Sequence, residues 1–154
     1  MGHTPGVEAG DNATVILGET SEPQTDLMLR IATGKGSSQL TEEGQYVVGP
    51  PELVAEIAHS SRALDLHQKL DDYQAAGVSE HLVCSVEDEG IFGRSFSTSK
   101  SIQPNRDGIL KSSVFPGLWL CEPAFIQQQT PSILETLQEG LRSKQHESFC
   151  KRLS

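Results

Sequence analysis

Residues 51–58, PELVAEIA, constrain this chain more than any other stretch. Pro50 and Pro51 end whatever precedes them, and the apolar run that follows reads as a central strand. Side chains alternate along a strand, so Glu52, Val54, Glu56 and Ala58 share one face and Leu53, Ala55 and Ile57 the other. Two carboxylates therefore stand on one face of an otherwise apolar strand. An edge strand with one solvated face would explain that pattern, and so would a covered face that forces the carboxylates together. The next segment favours the second. Residues 62–76 form a helix, with Ser60 or Ser61 as the cap and Gly77 as the stop. Leu66, Leu70 and Tyr73 recur at helical spacing, and burying that stripe folds the helix back over the sheet. Asp65, Lys69, Asp72 and Ala76 flank the packing stripe, which carries Lys69 toward Glu56. An i,i+4 pair of Lys69 with Asp65 is the plainer role for both.

The rest of the chain supplies a sheet for that strand to join. Residues 13–17 (ATVIL) and 26–32 (DLMLRIA) read as strands, the latter with Asp26, Met28 and Arg30 on one face and Leu27, Leu29 and Ile31 on the other. Residues 34–44 form a polar loop with room for a mobile hairpin. Residues 80–86 and 91–97 are two more strands around an acidic turn, and Asn105 to Gly108 is a turn. Residues 114–120 contain Pro116 and Gly117 and read as an edge or a docked loop. From 131 to about 150, Ile133, Leu134, Leu137 and Leu141 mark one amphipathic helix. The expected division is a flexible arm at 1–12, an α/β domain at 13–126, and a C-terminal amphipathic helix and tail at 127–154. At 154 residues the chain is the size of one domain.

Charge and cysteine usage narrow the functional classes. A net charge of −9 argues against non-specific nucleic-acid binding, which draws on many Lys and Arg contacts to phosphate. The charge is uneven, however: residues 1–90 hold 16 Asp and Glu against 4 Lys and Arg. Cys84, Cys121 and Cys150 fit neither a disulfide framework nor a paired zinc motif, which points to a reducing, cytoplasmic setting. No apolar run is long enough to span a bilayer, so no membrane partner is expected. The five histidines lack the i,i+4 metal spacing, and no GxSxG elbow is present.

Carboxylates brought together by strands, with a lysine nearby, are what magnesium-assisted phosphodiester cleavage needs. Hard oxygen ligands hold the metal, and an ammonium offsets developing charge. An inert salt-bridge cluster would use the same residue types.

The run GPPELVAEIAHSSRALDLHQKLDDYQAAGVSEHLVCSV, residues 49–86, resembles the core of the bacterial Uma-two restriction endonuclease family. That family's pattern reads P-[DE]-L-V-x-E-[IV]-x-x-S-S/T, then D-L-x-x-K-x-x-x-Y-x-x-x-G-V. The similarity extends to SEPQTDLMLRI upstream and DGILKSSVFPGLWL downstream, roughly residues 12–125. It implies an α/β, restriction-endonuclease-like core with a central mixed β-sheet flanked by helices, and a PD-(D/E)xK nuclease. Asp26 and Glu56 then jointly ligate Mg2+ or Mn2+. The lysine usually found two residues after the glutamate is replaced by Ala58, and the resemblance moves its role to Lys69. Glu52 is the second-line acidic residue, and Asp65 orients Lys69. Thr25 stands where the first half-motif has proline. The implied function is metal-dependent endonucleolytic hydrolysis of DNA phosphodiester bonds. Family members begin with a further helix and strand, so the resemblance also implies a shortened chain. Its alternative function is an inactive, truncated nuclease-fold protein serving as a binding module, and a broken sheet edge invites a homodimer.

Overall fold

The computed structural model describes residues 4–18, 24–58, 64–85 and 87–154, with the backbone alone for residue 24 and for 64–69. Short apolar runs separated by turns become β1 (Val7–Ile16), β2 (Gln24–Ile31), β3 (Gln39–Leu40), β4 (Val47–Val48) and β5 (Leu53–Ala58). Then come α1 (Leu64–Ala76), β6 (Glu80–Ser85), β7 (Gly90–Ser95) and β8 (Lys100–Ile102). The chain finishes with β9 (Ile109–Lys111), β10 (Trp119–Cys121), α2 (Glu122–Ile126), α3 (Thr130–Leu141) and α4 (Lys144–Leu153).

Among the described residues, eight strands form one mixed sheet in the order β3-β4-β1-β2-β5-β6-β7-β8, while β9 and β10 pair separately. β5 and β6 run parallel, which requires a crossover, and α1 supplies it. β5 lies between β2 and β6, so it is no edge strand. Beyond its two-residue pairing with β4, the outer edge of β1 pairs with no strand among the described residues. Such an edge is the feature on which the expectation of a homodimer rests.

Both faces of the sheet are covered. Leu53 and Leu82 on one face pack with Ile91, Leu110, Phe115, Phe149 and Leu153, beneath the C-terminal helices. On the other face Val54 packs with Tyr73 of α1 and with Val78 at the end of the crossover. Met28, Val15 and Val47 form a smaller cluster. The strand alternation read from the sequence is therefore real, with Met28 and Val54 on the α1 side and Leu29, Ile31 and Leu53 beneath the C-terminal helices.

Two expectations need correction, and a third is met. The segment at 1–12 is not an arm throughout, because β1 begins at Val7 and pairs with β2 from Val7↔Ile31 onward. Five residue pairings, from Val7↔Ile31 to Asp11↔Leu27, order a stretch whose polar, Gly-containing composition gives no strand signal. The polar loop at 34–44 does carry one arm of a hairpin: β3 forms a two-residue antiparallel ladder with β4. The single C-terminal helix is two helices. α3 stops at Leu141, and Ser143 caps α4 by accepting a hydrogen bond from the His146 N–H at 3.2 Å. The expected caps Ser60 and Ser61 lie outside the described residues. No helix among the described residues is long and apolar enough to cross a membrane.

Candidate active site

The site begins where two strands part. β2 and β5 are antiparallel with Leu27 opposite Ala55, and one further step along that register sets Asp26 across from Glu56. The ladder ends there. Asp26 Oδ2 accepts the Ile57 N–H at 2.8 Å, so a carboxylate takes the place of a strand carbonyl. β2 continues with β1 instead, through Ala13↔Thr25 and Thr14↔Gln24. Opposite Asp26 on that side, Asn12 has φ 48, a left-handed conformation that asparagine tolerates and that breaks the regular ladder. The split opens at the acidic pair, at the end of the sheet where the chain leaves β5 for α1.

Burial separates the two carboxylates. Glu56 is 3% exposed beneath α1, while Asp26 is half-buried. The fully buried Tyr73 donates its hydroxyl to Glu56 Oε1 at 2.9 Å. Burial pushes the Tyr73 phenol well above its ordinary range, and the charges of Glu56 and then Asp26 push it further. Tyr73 read from sequence as a packing residue; its hydroxyl at the acidic pair is what that reading missed. The signal was present, since the tyrosine stands four residues after Lys69 in the helix, but only the chain path shows which strand that helix covers.

The other expected residues are placed as follows. Lys69 lies in α1 one turn before Tyr73, and Asp65 one turn before that; the side chains of both are outside the described residues. Glu52 lies four strand positions from Glu56, about 13 Å along the chain. Its Oε2 accepts the Ile31 N–H at 2.7 Å and its Oε1 the Ser37 N–H at 2.9 Å. The structure thus brings Asp26, Glu56 and Tyr73 together and holds Glu52 apart, tied to the end of β2 and the loop after it.

Asp26 and Glu56 suit a hard divalent cation. Asp26 makes no ion pair among the described residues, and its Oδ1 takes no hydrogen bond there. No group of three His, Cys, Asp or Glu side chains gathers anywhere among the described residues. Two carboxylates with the remaining positions left to water and substrate oxygens is the way magnesium is held in phosphoryl-transfer sites, so the donor set fits. Elsewhere, burial pushes the Cys84 thiol up to about 11, consistent with a small apolar filler.

Comparisons with known proteins agree with this architecture. A family model, Uma2, described as "Putative restriction endonuclease", matches residues 2–123. A solved structure described as a "putative nuclease belonging to DUF820" from Anabaena variabilis superposes with a TM-score of 0.61 at 12% identity. That match covers 79% of this chain and 69% of the other, and at such low identity it shows a shared fold. No curated protein matches the chain.

Proposed function

The chain belongs to the Uma2 restriction endonuclease family and has the restriction-endonuclease-like fold, and we propose that it is a metal-dependent endonuclease cleaving DNA phosphodiester bonds. The observation that carries this reading is that Asp26 holds the Ile57 N–H, next to the buried Glu56, where β2 and β5 separate. Asp26 and Glu56 would hold Mg2+ or Mn2+, which when bound supplies a Lewis acid for the phosphate and acidifies a coordinated water.

The chain's own residues do the positioning. The Ile57 N–H holds one Asp26 oxygen, so the carboxylate is aimed without cost at the moment of reaction. The covered face that buries Glu56 excludes bulk water and strengthens electrostatic interactions in the site. Lys69, one turn before Tyr73, supplies an ammonium that offsets charge developing on the phosphate, and Asp65 orients it. Glu52 serves as a tie between β5 and the end of β2 rather than as a ligand. The three free cysteines suit a cytoplasmic enzyme.

The test is plasmid cleavage in Mg2+ or Mn2+ by the wild type beside Asp26→Ala, Glu56→Ala and Lys69→Ala. Each substitution is expected to slow nicking by about 100-fold or more. Equal nicking by all four proteins would overturn the site, and a wild type that binds metal without cutting would identify an inactive binding module.

A further inference from the structure

Tyr73 is among the largest fully buried side chains of the molecule, and its phenol is more than packing requires. Its ring fills space against Val54 and Val78 and lies 5.5 Å from the His81 ring, a role phenylalanine would serve equally. The hydroxyl is the costly part, because a buried hydroxyl destabilises unless it is hydrogen-bonded. Here it donates to Glu56 Oε1 at 2.9 Å.

The backbone beneath it is held firmly. The Val78 N–H bonds the Tyr73 carbonyl at 3.0 Å, and the Gly77 N–H bonds the Gln74 carbonyl at 3.2 Å. Gly77 makes that stop at φ +96, a conformation that favours glycine. The tyrosine thus reaches Glu56 from a fixed anchor at the end of the helix.

We propose that Tyr73 is a positioning residue for the metal ligand Glu56: its hydroxyl sets the carboxylate's rotamer so that the pair with Asp26 is formed before a metal arrives. The inference rests on the reading of Asp26 and Glu56 as ligands. The scaffold then holds an oxygen of each carboxylate, Asp26 Oδ2 through the backbone N–H of Ile57 and Glu56 Oε1 through the Tyr73 hydroxyl. No group of three acidic, histidine or cysteine side chains gathers among the described residues, so the position of Glu56 weighs heavily in the donor set. Outer partners that orient a ligand typically contribute 10- to 100-fold to metal affinity, which is the scale expected for this hydroxyl.

Mn2+ affinity, read from the paramagnetic resonance signal of the free ion, tests the proposal without reference to cleavage. Tyr73→Phe keeps the ring and is expected to raise the Mn2+ dissociation constant about 10-fold or more while the far-UV spectrum stays native. Val78→Ala loosens the same packing without touching the hydroxyl; it is expected to lower the melting temperature and leave Mn2+ affinity unchanged. Wild-type affinity in Tyr73→Phe, or an equal loss in Val78→Ala, overturns the inference alone. A wild type that binds no Mn2+ overturns the ligand reading and this inference with it. Should Tyr73→Phe not fold, Tb3+ added to a Tyr46→Phe background replaces it. Emission with the excitation spectrum of tyrosine then supports a metal beside Tyr73, and its absence overturns the proposal.

Discussion

Glu52 and Glu56 look interchangeable along the strand, two glutamates four residues apart on one face, yet their environments separate their roles. Glu52 spends both oxygens on backbone N–H groups, at Ile31 and Ser37. Glu56 receives a buried phenol beside a second carboxylate. Glu52→Ala strands two N–H donors that a charged acceptor had satisfied, so a loss of about 2–4 kcal/mol in urea unfolding is expected, with Mn2+ affinity retained. A loss below about 1 kcal/mol would mean that water replaces the carboxylate and that the tie is dispensable. Strand alternation told correctly that the two glutamates share a face. It could not tell them apart, because the groups that distinguish them come from β2, its following loop and α1.

The helices show where local pattern and packing diverge. Apolar spacing runs from Ile133 through Leu141, and its continuation through residue 150 read as one helix. The chain breaks because Ser143 caps a new helix and its hydroxyl also bonds the Gly140 carbonyl at 2.6 Å. Gly140 itself runs against helix propensity, which would favour alanine there by about 1 kcal/mol. A Cβ at that position would collide with the Gly117 carbonyl and come within 2.7 Å of Trp119 Cγ. Glycine is present so that α3 can seat on the turn before β10. Gly140→Ala should therefore destabilise the protein, by about 1–3 kcal/mol of overpacking strain, and a measured gain in stability would show that the helix can slide. Similar reasoning explains the first half of β1, whose VEAGDN is too polar and Gly-containing to announce a strand, whereas the ATVI that follows does. Its order comes from its neighbour β2, a contact invisible within its own residues.

At the scale of the whole molecule, the C-terminal segment belongs to the core rather than beside it. The family match ends at residue 123, and the domain expected from sequence ended at 126. Phe149 and Leu153 are nonetheless buried against Leu53, Leu82 and Phe115, with the Phe149 ring edge-on to Phe115 at 5.9 Å. Removing a buried phenylalanine and leucine costs about 3–5 and 2–5 kcal/mol, together comparable to the total stability of a domain. Truncation after Gln127 is accordingly expected to give a chain without a cooperative unfolding transition by circular dichroism, and a truncated protein that melts like the full chain would refute this. The net charge of −9 likewise changes meaning, since part of it sits at Asp26 and Glu56, where the proposed metal would offset it. By itself the sequence determined which side chains share a face: Asp26 with Met28 and Arg30, and Glu52 with Val54 and Glu56. That periodicity is a property of the extended backbone and needs no partner. The meeting of Asp26 with Glu56 was implied only by family resemblance. Tertiary structure decided the register that sets them opposite, the split between β2 and β5, and the tyrosine over Glu56. Those depend on which distant segments pair and pack, where each hydrogen bond joins residues 17 to 31 positions apart.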